Sequence, residues 1–330
     1  MRLIIDTDPG NGYAGADVDD ALALALALAS PEIDLLAVTV VAGNVPVDRG
    51  VRGALEVLAA ADALHVPVHR GADRPLMQDP RPWRALLDKR RDDRIAQQLW
   101  TADQGPDYAL SPHPKPAVDV LVDLVDAHPG EVTVLAIGPL TNIATAMLLD
   151  RDWQRKVARI VWMGGAFELP DLLQELNAAY DPEAAHLVLT SAAPLTVIPL
   201  DVTLTTHLHL NEIARFEQAN TPLTDYLGRV VRPWVTWLAA RYGRDGCPLH
   251  DPLALATLLD PDVVRTRSRS ADIELSGRLT RGRTVAWDST NDELLQVVVP
   301  LHEARFVDIA YEVDNDRFLP LLLDRLTGIG

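Results

Sequence analysis

The sequence predicts an α/β fold: a mostly parallel central sheet flanked by helices, Rossmann-like, with a lid excursion and a small β addition near the C-terminus. Two observations carry this expectation. Short apolar runs alternate with Ala/Leu-rich or amphipathic stretches, the order that builds parallel strands joined by crossover helices. The chain also has 330 residues, 48% of them hydrophobic and 23% charged, which suffices for a large core without disulfide support. The absence of repeats, low-complexity tracts and linker composition leads to one domain over 1–330 as the expected organisation.

The elements follow in order. RLII (2–5) reads as a strand that breaks at Asp6-Thr7-Asp8-Pro9-Gly10. A helix follows over Asp19–Ala29, its first turn carrying Asp19 and Asp20 where carboxylates favour the helix dipole. LLAVTVV (35–41) reads as a buried strand, then Ala42-Gly43-Asn44 and a helix at about 48–62. Residues 70–115 are proline-rich, with Trp83, Trp100 and the charged run DKRRDDR, and read as a lid with a helix inside it. The αβ rhythm resumes with a helix at about 116–127, a strand over 132–137, a helix after Gly138-Pro139 and a strand over 158–163. Asp181-Pro182-Glu183 marks a helix N-terminus, an N-cap followed by proline in the first turn. A strand at 195–200 leads into a mostly helical region, 206–259, interrupted at His250-Asp251-Pro252. Short apolar segments over 262–311 suggest β structure, and a last helix is expected at about 315–326.

Composition excludes several classes of function. A net charge of −17 argues against a phosphate-binding face for nucleic acid. The single cysteine, Cys247, permits no intramolecular disulfide and fits a reducing, cytoplasmic compartment. No apolar run is long enough to span a membrane, and MRLIIDTDPG lacks a signal-peptide plan.

In open α/β sheets ligands bind beyond the carboxyl ends of the strands. The polar residues expected there are Asp6, Asp8, Asn44, Thr141-Asn142, Glu175, Asn177 and Asp201, with His250-Asp251 preceding an apolar helix. Asp6, Asp8, Asp19 and Asp20 crowd into a short N-terminal segment. Close carboxylates repel unless a proton or cation intervenes, and an all-oxygen donor set suits Ca²⁺ or Mg²⁺ rather than zinc. Taken singly, each of these residues also reads as a cap or turn residue; their combination points to a site.

That combination resembles the inosine/uridine-preferring nucleoside hydrolase family. The matching segments are IIDTDPG with the following DDALALALA, TVVAGN, LAIGPLTNIA, VWMGGA, ELNAAYDPEAA, PLDVT and HDPLALA, in the family's order over residues 4–256. The resemblance implies Ca²⁺-dependent hydrolysis of the N-glycosidic bond of ribonucleosides. In this picture a water on the ion is activated by Asp8, and the transition state is oxocarbenium-like. It further implies that Asp8, Asp20, Asp251 and the main-chain carbonyl of Thr141 hold the metal. Asp19, Asn44 and Asn177 would bind ribose hydroxyls, Glu175 would face the 5′ end, and His250 would stand near the leaving base. A homo-oligomer, dimer or tetramer, is implied in the same way, with a small-molecule nucleoside as the only other partner.

Three departures stand out. The family runs from DPG almost directly into the aspartate pair, whereas here Asn11–Val18 intervenes. The lid carries Leu99-Trp100-Thr101-Ala102-Asp103-Gln104-Gly105 where many relatives have a histidine-glycine segment. Trp100 is thus a candidate for stacking on the base, with lid packing as the alternative. The loop between MGGA and ELN is short and lacks the usual Gly-Asn. Two other functions compete: a non-catalytic nucleoside-binding protein on the same fold, and a haloacid-dehalogenase-like phosphatase, suggested only by the Asp-x-Asp of Asp6-Thr7-Asp8.

Overall fold

The computed structural model describes residues 1–100, 110–288 and 305–328. The first half contains β1 (Arg2–Thr7), α1 (Asp19–Leu28), β2 (Asp34–Val40), α2 (Val47–Ala60), β3 (Val68–Arg70), α3 (Arg81–Asp88), α4 (Arg94–Leu99), α5 (Ala117–Ala127), β4 (Val132–Ala136) and α6 (Thr141–Leu149). Then come α7 (Trp153–Lys156), β5 (Arg159–Met163), α8 (Leu176–Tyr180), α9 (Pro182–Leu189), β6 (Leu195–Ile198), α10 (Leu200–Thr203), β7 (His207–Leu208), α11 (Leu210–Ala219) and α12 (Pro222–Tyr242). The chain closes with β8 (Cys247–Pro248), α13 (His250–Leu259), β9 (Val264–Ile273), β10 (Thr284–Trp287), β11 (Phe306–Val313) and α14 (Asn315–Thr327).

Among the described residues a nine-stranded sheet has the order β10-β9-β11-β6-β5-β4-β1-β2-β3. All neighbours from β11 to β3 pair in parallel, and β9 pairs antiparallel with both β10 and β11. The expected mostly parallel sheet and the C-terminal β addition are therefore both present. The run β3-β2-β1-β4-β5-β6 reverses direction between β1 and β4, the point where such sheets open a crevice for ligands.

Strand alternation divides the core. Leu3 and Ile5 of β1 join the layer containing α1, α2, α12 and α13, while Ile4 joins the layer containing α5, α6 and α9. The Ala/Leu composition of α1 has a structural reason: Ala21 to Leu26 are fully buried, so the helix is covered on every side by α13, α2, α12 and α14.

The helical region breaks before His250-Asp251-Pro252, which opens α13 with proline in the first turn, where its missing N–H has no intrahelical partner anyway. One expectation changes. The lid holds two α-helices, α3 and α4, joined by a 3₁₀ turn, rather than one. The stretch Thr101–Ala109 of the lid, and residues 289–304 of the expected C-terminal β region, lie outside the described residues. Asp181 caps α9 as expected, accepting Ala184 N at 3.1 Å, with Pro182 in the first turn.

Candidate active site

The crevice forms where the ends of β1, β2, β4 and β5 meet the N-termini of α1 and α13. These helices pack together and both begin with acidic residues, so Asp19, Asp20 and Asp251 converge; ligand oxygens from the three lie within 4.8 Å of one another. Exposed backbone N–H groups at the two helix ends favour negative charge there. Asp19 Oδ2 accepts the Asp251 N–H at 3.0 Å. Asp20 Oδ1 accepts the Thr7 hydroxyl at 2.5 Å and the Asp8 N–H at 3.2 Å.

Asp8 follows β1 directly. Its Oδ2 accepts the Asn44 N–H at 2.6 Å, while its Oδ1 is buried without a hydrogen-bond partner among the described residues. Two glycines make room for it: a Cβ on Gly43 would collide with Asp8 Oδ2, and one on Gly138 would fall 2.9 Å from Oδ1. Asn44 Nδ2 points to Asp20 Oδ2 at 3.5 Å.

The electrostatics follow from crowding. Burial, then Asp20, pushes the Asp8 carboxyl well above its ordinary range. Burial, then Asp19 and Asp20, does the same to Asp251. Asp19 rises to about 7 through burial and Asp20, and Asp20 to about 7 chiefly through burial. Four buried carboxyls thus share one space with no Lys or Arg ion pair to any of them among the described residues. An orphaned carboxylate oxygen inside an all-oxygen, strongly acidic pocket fits a hard divalent cation.

The remaining expected residues are placed unevenly. Asn177 is buried and donates from Nδ2 to Met163 O at 3.0 Å and Ile137 O at 3.4 Å, which brings it to the ends of β5 and β4. Glu175 caps α8: Oε1 accepts Asn177 N at 2.7 Å, and Oε2 accepts Gly165 N at 2.8 Å and Ala178 N at 2.9 Å. Its carboxylate is thus largely committed to shaping the ELN turn. His250 Nδ1 lies 2.7 Å from Thr203 Oγ1, which orients the ring. Burial holds its imidazole below the usual range, and Asp17 opposes that shift.

The Thr141 carbonyl is engaged within its own helix. It belongs to the first turn of α6, where carbonyls point down the helix, and it accepts the Thr145 hydroxyl at 2.7 Å. The Thr141 hydroxyl instead donates to Asp181 at 2.7 Å. The residue beyond the end of β4 that lies against Asp8 is Gly138. Trp100 is half-buried at the end of α4, packed against the hydrophobic core, which is the lid-packing alternative; its indole N–H has no partner among the described residues.

Two groups escaped the sequence reading. Asp17 is nearly as acid-weakened as its neighbours, raised to about 7 by burial and by Asp19. Tyr180 is fully buried with an unpartnered hydroxyl, its phenol pushed up to about 12 chiefly by burial, with Asp8 close enough to contribute. Asp6 turns out to be structural: its Oδ1 accepts Thr39 Oγ1 at 2.5 Å and Asn142 Nδ2 at 2.8 Å, tying β1 to β2 and α6.

A Rossmann-like sheet that gathers a buried carboxylate cluster beyond its switch point has the architecture of an α/β enzyme, and the cluster is compatible with metal binding. Residues 3–320 match the model of the family described as inosine-uridine preferring nucleoside hydrolase, and the chain belongs to that family. It is 36% identical to an uncharacterized protein of Schizosaccharomyces pombe over 99% of both chains. It is 33% identical to the pyrimidine-specific ribonucleoside hydrolase RihA of Citrobacter koseri, covering 94% of this chain and 97% of that one. Its structure superposes on a purine-preferring ribonucleoside hydrolase from Gardnerella vaginalis with a TM-score of 0.83, at 29% identity, over 100% of this chain and 99% of the other. The protein is therefore an enzyme with ribonucleoside hydrolase activity. No helix among the described residues is long and apolar enough to cross a membrane.

Proposed function

We propose that the enzyme hydrolyses the N-glycosidic bond of ribonucleosides to free base and ribose in a Ca²⁺-dependent reaction, with Asp8 as general base. The observation that carries this reading is the orphaned, buried Oδ1 of Asp8 beside the Asp19–Asp20–Asp251 cluster. Asp8, Asp20 and Asp251 would hold the ion, with the Ile137 carbonyl in the place the resemblance gave to Thr141. A bound Ca²⁺ would keep these carboxyls ionised, lower the pKa of a water in the site and anchor ribose hydroxyls.

The chain's own groups then divide the work. Asp8, held by the Asn44 N–H, accepts a proton from the attacking water at its free oxygen. Asp19, Asn44 and Asn177 orient the ribose hydroxyls, and the hydroxyl of Tyr180 is a further partner for the sugar. Glu175 keeps the ELN turn in shape at the 5′ end. As the glycosidic bond breaks, positive charge grows on the ribose, and a crevice rich in carboxylates stabilises it. His250 stands at the base side and donates a proton to a leaving purine.

The test is base release from inosine, adenosine, guanosine, uridine and cytidine, each with Ca²⁺ and with a chelator. Chelator-sensitive release of base and ribose is expected; no release from any of the five by Ca²⁺-loaded protein would leave the nucleoside-binding reading in its place. His250→Ala is expected to slow inosine more than uridine by about 10-fold or more, since purine departure leans on a proton donor. Equal loss on both substrates would reduce His250 to a positioning role. The homo-oligomer expected from the resemblance is checked by the mass of the protein in solution.

A further inference from the structure

We propose that Arg84, on the lid helix α3, is a positioning residue for hydrolysis: its guanidinium grips the Gly43–Asn44 segment and so sets the hydrogen bond that Asn44 makes to Asp8. The contacts run in one line. Arg84 Nη1 donates to Gly43 O at 2.6 Å and Nη2 to Asn44 O at 3.1 Å. The next atoms inward are the Asn44 N–H, 2.6 Å from Asp8 Oδ2, and the Gly43 Cα, packed directly against the same carboxylate. Two donors of one planar fork on successive carbonyls leave that turn little freedom, a geometry lysine's single ammonium does not reproduce. Asp88, one turn along α3, accepts Arg84 Nη2 at 2.6 Å and fixes the fork, and the Arg84 side chain is only 17% exposed.

The lid is itself braced from the segment that lengthens the path between Asp8 and Asp19. Gly15 backs onto Arg90, where a Cβ would fall 2.7 Å from Arg90 Cβ. The Arg91 guanidinium lies 5.3 Å from the centre of the Tyr13 ring, with Nη1 3.3 Å from the Tyr13 hydroxyl. Asn11, at the start of the segment, is anchored to Gly53 O at 3.1 Å and to the Tyr226 hydroxyl at 2.5 Å. The Asn11–Val18 segment thus steadies the lid, and the lid, through Arg84, steadies Asp8. Arg84 makes no hydrogen bond to Asp8 among the described residues; it acts through Asn44.

This inference rests on Asp8 as the base, and the experiment separates the two. Wild type, Arg84→Met, Arg84→Lys and Arg81→Met are compared for kcat, KM, Tm and Ca²⁺ affinity by calorimetry. Arg81 is a control on the same helix, 88% exposed and paired with Asp79 nearby. Arg84→Met is expected to lower kcat and Ca²⁺ affinity each by about 10-fold or more, as loss of a group supporting a ligand does, with KM changed less than about threefold. Arg84→Lys should keep the wild-type Tm and fall between the two in kcat. Turnover of Arg84→Met within about twofold of wild type, or an equal loss in Arg81→Met, overturns the proposal. If Arg84→Met does not fold, Arg84→Lys decides: lowered kcat at unchanged Tm supports it and unchanged kcat overturns it. An inactive wild type would instead sink the hydrolytic reading of Asp8.

Discussion

Asp8→Asn is expected to lower kcat for nucleoside hydrolysis by about 10²–10⁴-fold while the fold is retained, the range by which a positioned base contributes. The substitution is nearly isosteric. The introduced amide oxygen can still accept the Asn44 N–H, and the two glycines at positions 43 and 138 leave the space unchanged. What is lost is the carboxylate oxygen that has no hydrogen-bond partner among the described residues. The change also removes one negative charge from a pocket that Asp19, Asp20 and Glu175 make repulsive for it. In the cation-free protein the Tm should therefore hold or rise. Steady-state base release together with thermal melting checks both halves; turnover within about tenfold of wild type would remove Asp8 from the role of base.

Removing divalent cations is expected to destabilise the protein in a pH-dependent manner. The sign follows from the carboxyls themselves. Asp19 and Asp20 titrate near 7 in the folded state against 3.8 as ordinary aspartates, and Asp8 and Asp251 are raised as well. Groups whose folded pKa is raised favour the native state fully below the unfolded value. They lose that contribution as pH climbs through the folded one. The chelated protein should thus lose Tm between about pH 5 and pH 8 as the cluster ionises against itself. Carboxyls held low by ion pairs, such as Asp48 with Arg70, titrate below this window and do not reverse the trend. A cation replaces the missing protons. At roughly 1,000 times its dissociation constant it stabilises by about 4 kcal/mol, on the order of 5–10 °C in Tm, with the largest gain at alkaline pH. Differential scanning calorimetry with Ca²⁺ and with a chelator at pH 6 and pH 8 measures this. Identical melting in both at pH 8 would mean that the cluster holds no ion.

These two expectations use residues visible in the primary structure. Asp8, Asp19, Asp20 and Asp251 are legible because each sits at an abrupt switch from apolar run to turn, or from turn to apolar helix, and such switches mark the strand ends where α/β proteins place their chemistry. The strands themselves were legible for the same reason. Buried parallel strands are continuous runs of branched apolar residues, and β1, β2, β4, β5 and β6 all begin within one residue of where such runs begin. Short elements were not: β3 has three residues and α10 four, too few for any period to register.

The site shows the same division. A residue's identity announces chemistry, but its partners depend on distance in space. Glu175 also caps a helix, the Thr141 hydroxyl bonds Asp181, and Asp17, which reads as a loop residue, is buried beside the cluster. Arg84 gave no signal, because it meets Gly43 and Asn44 across some forty residues of chain. By itself the sequence determined the sheet, the family and the acidic set, since those follow from local patterning and from side-chain type. Only the tertiary structure decided which carboxyls share a space, which glycines border Asp8 and how the lid bears on it. Hydrogen bonding and mutual repulsion act over a few ångströms, and only folding brings residues from distant segments that close.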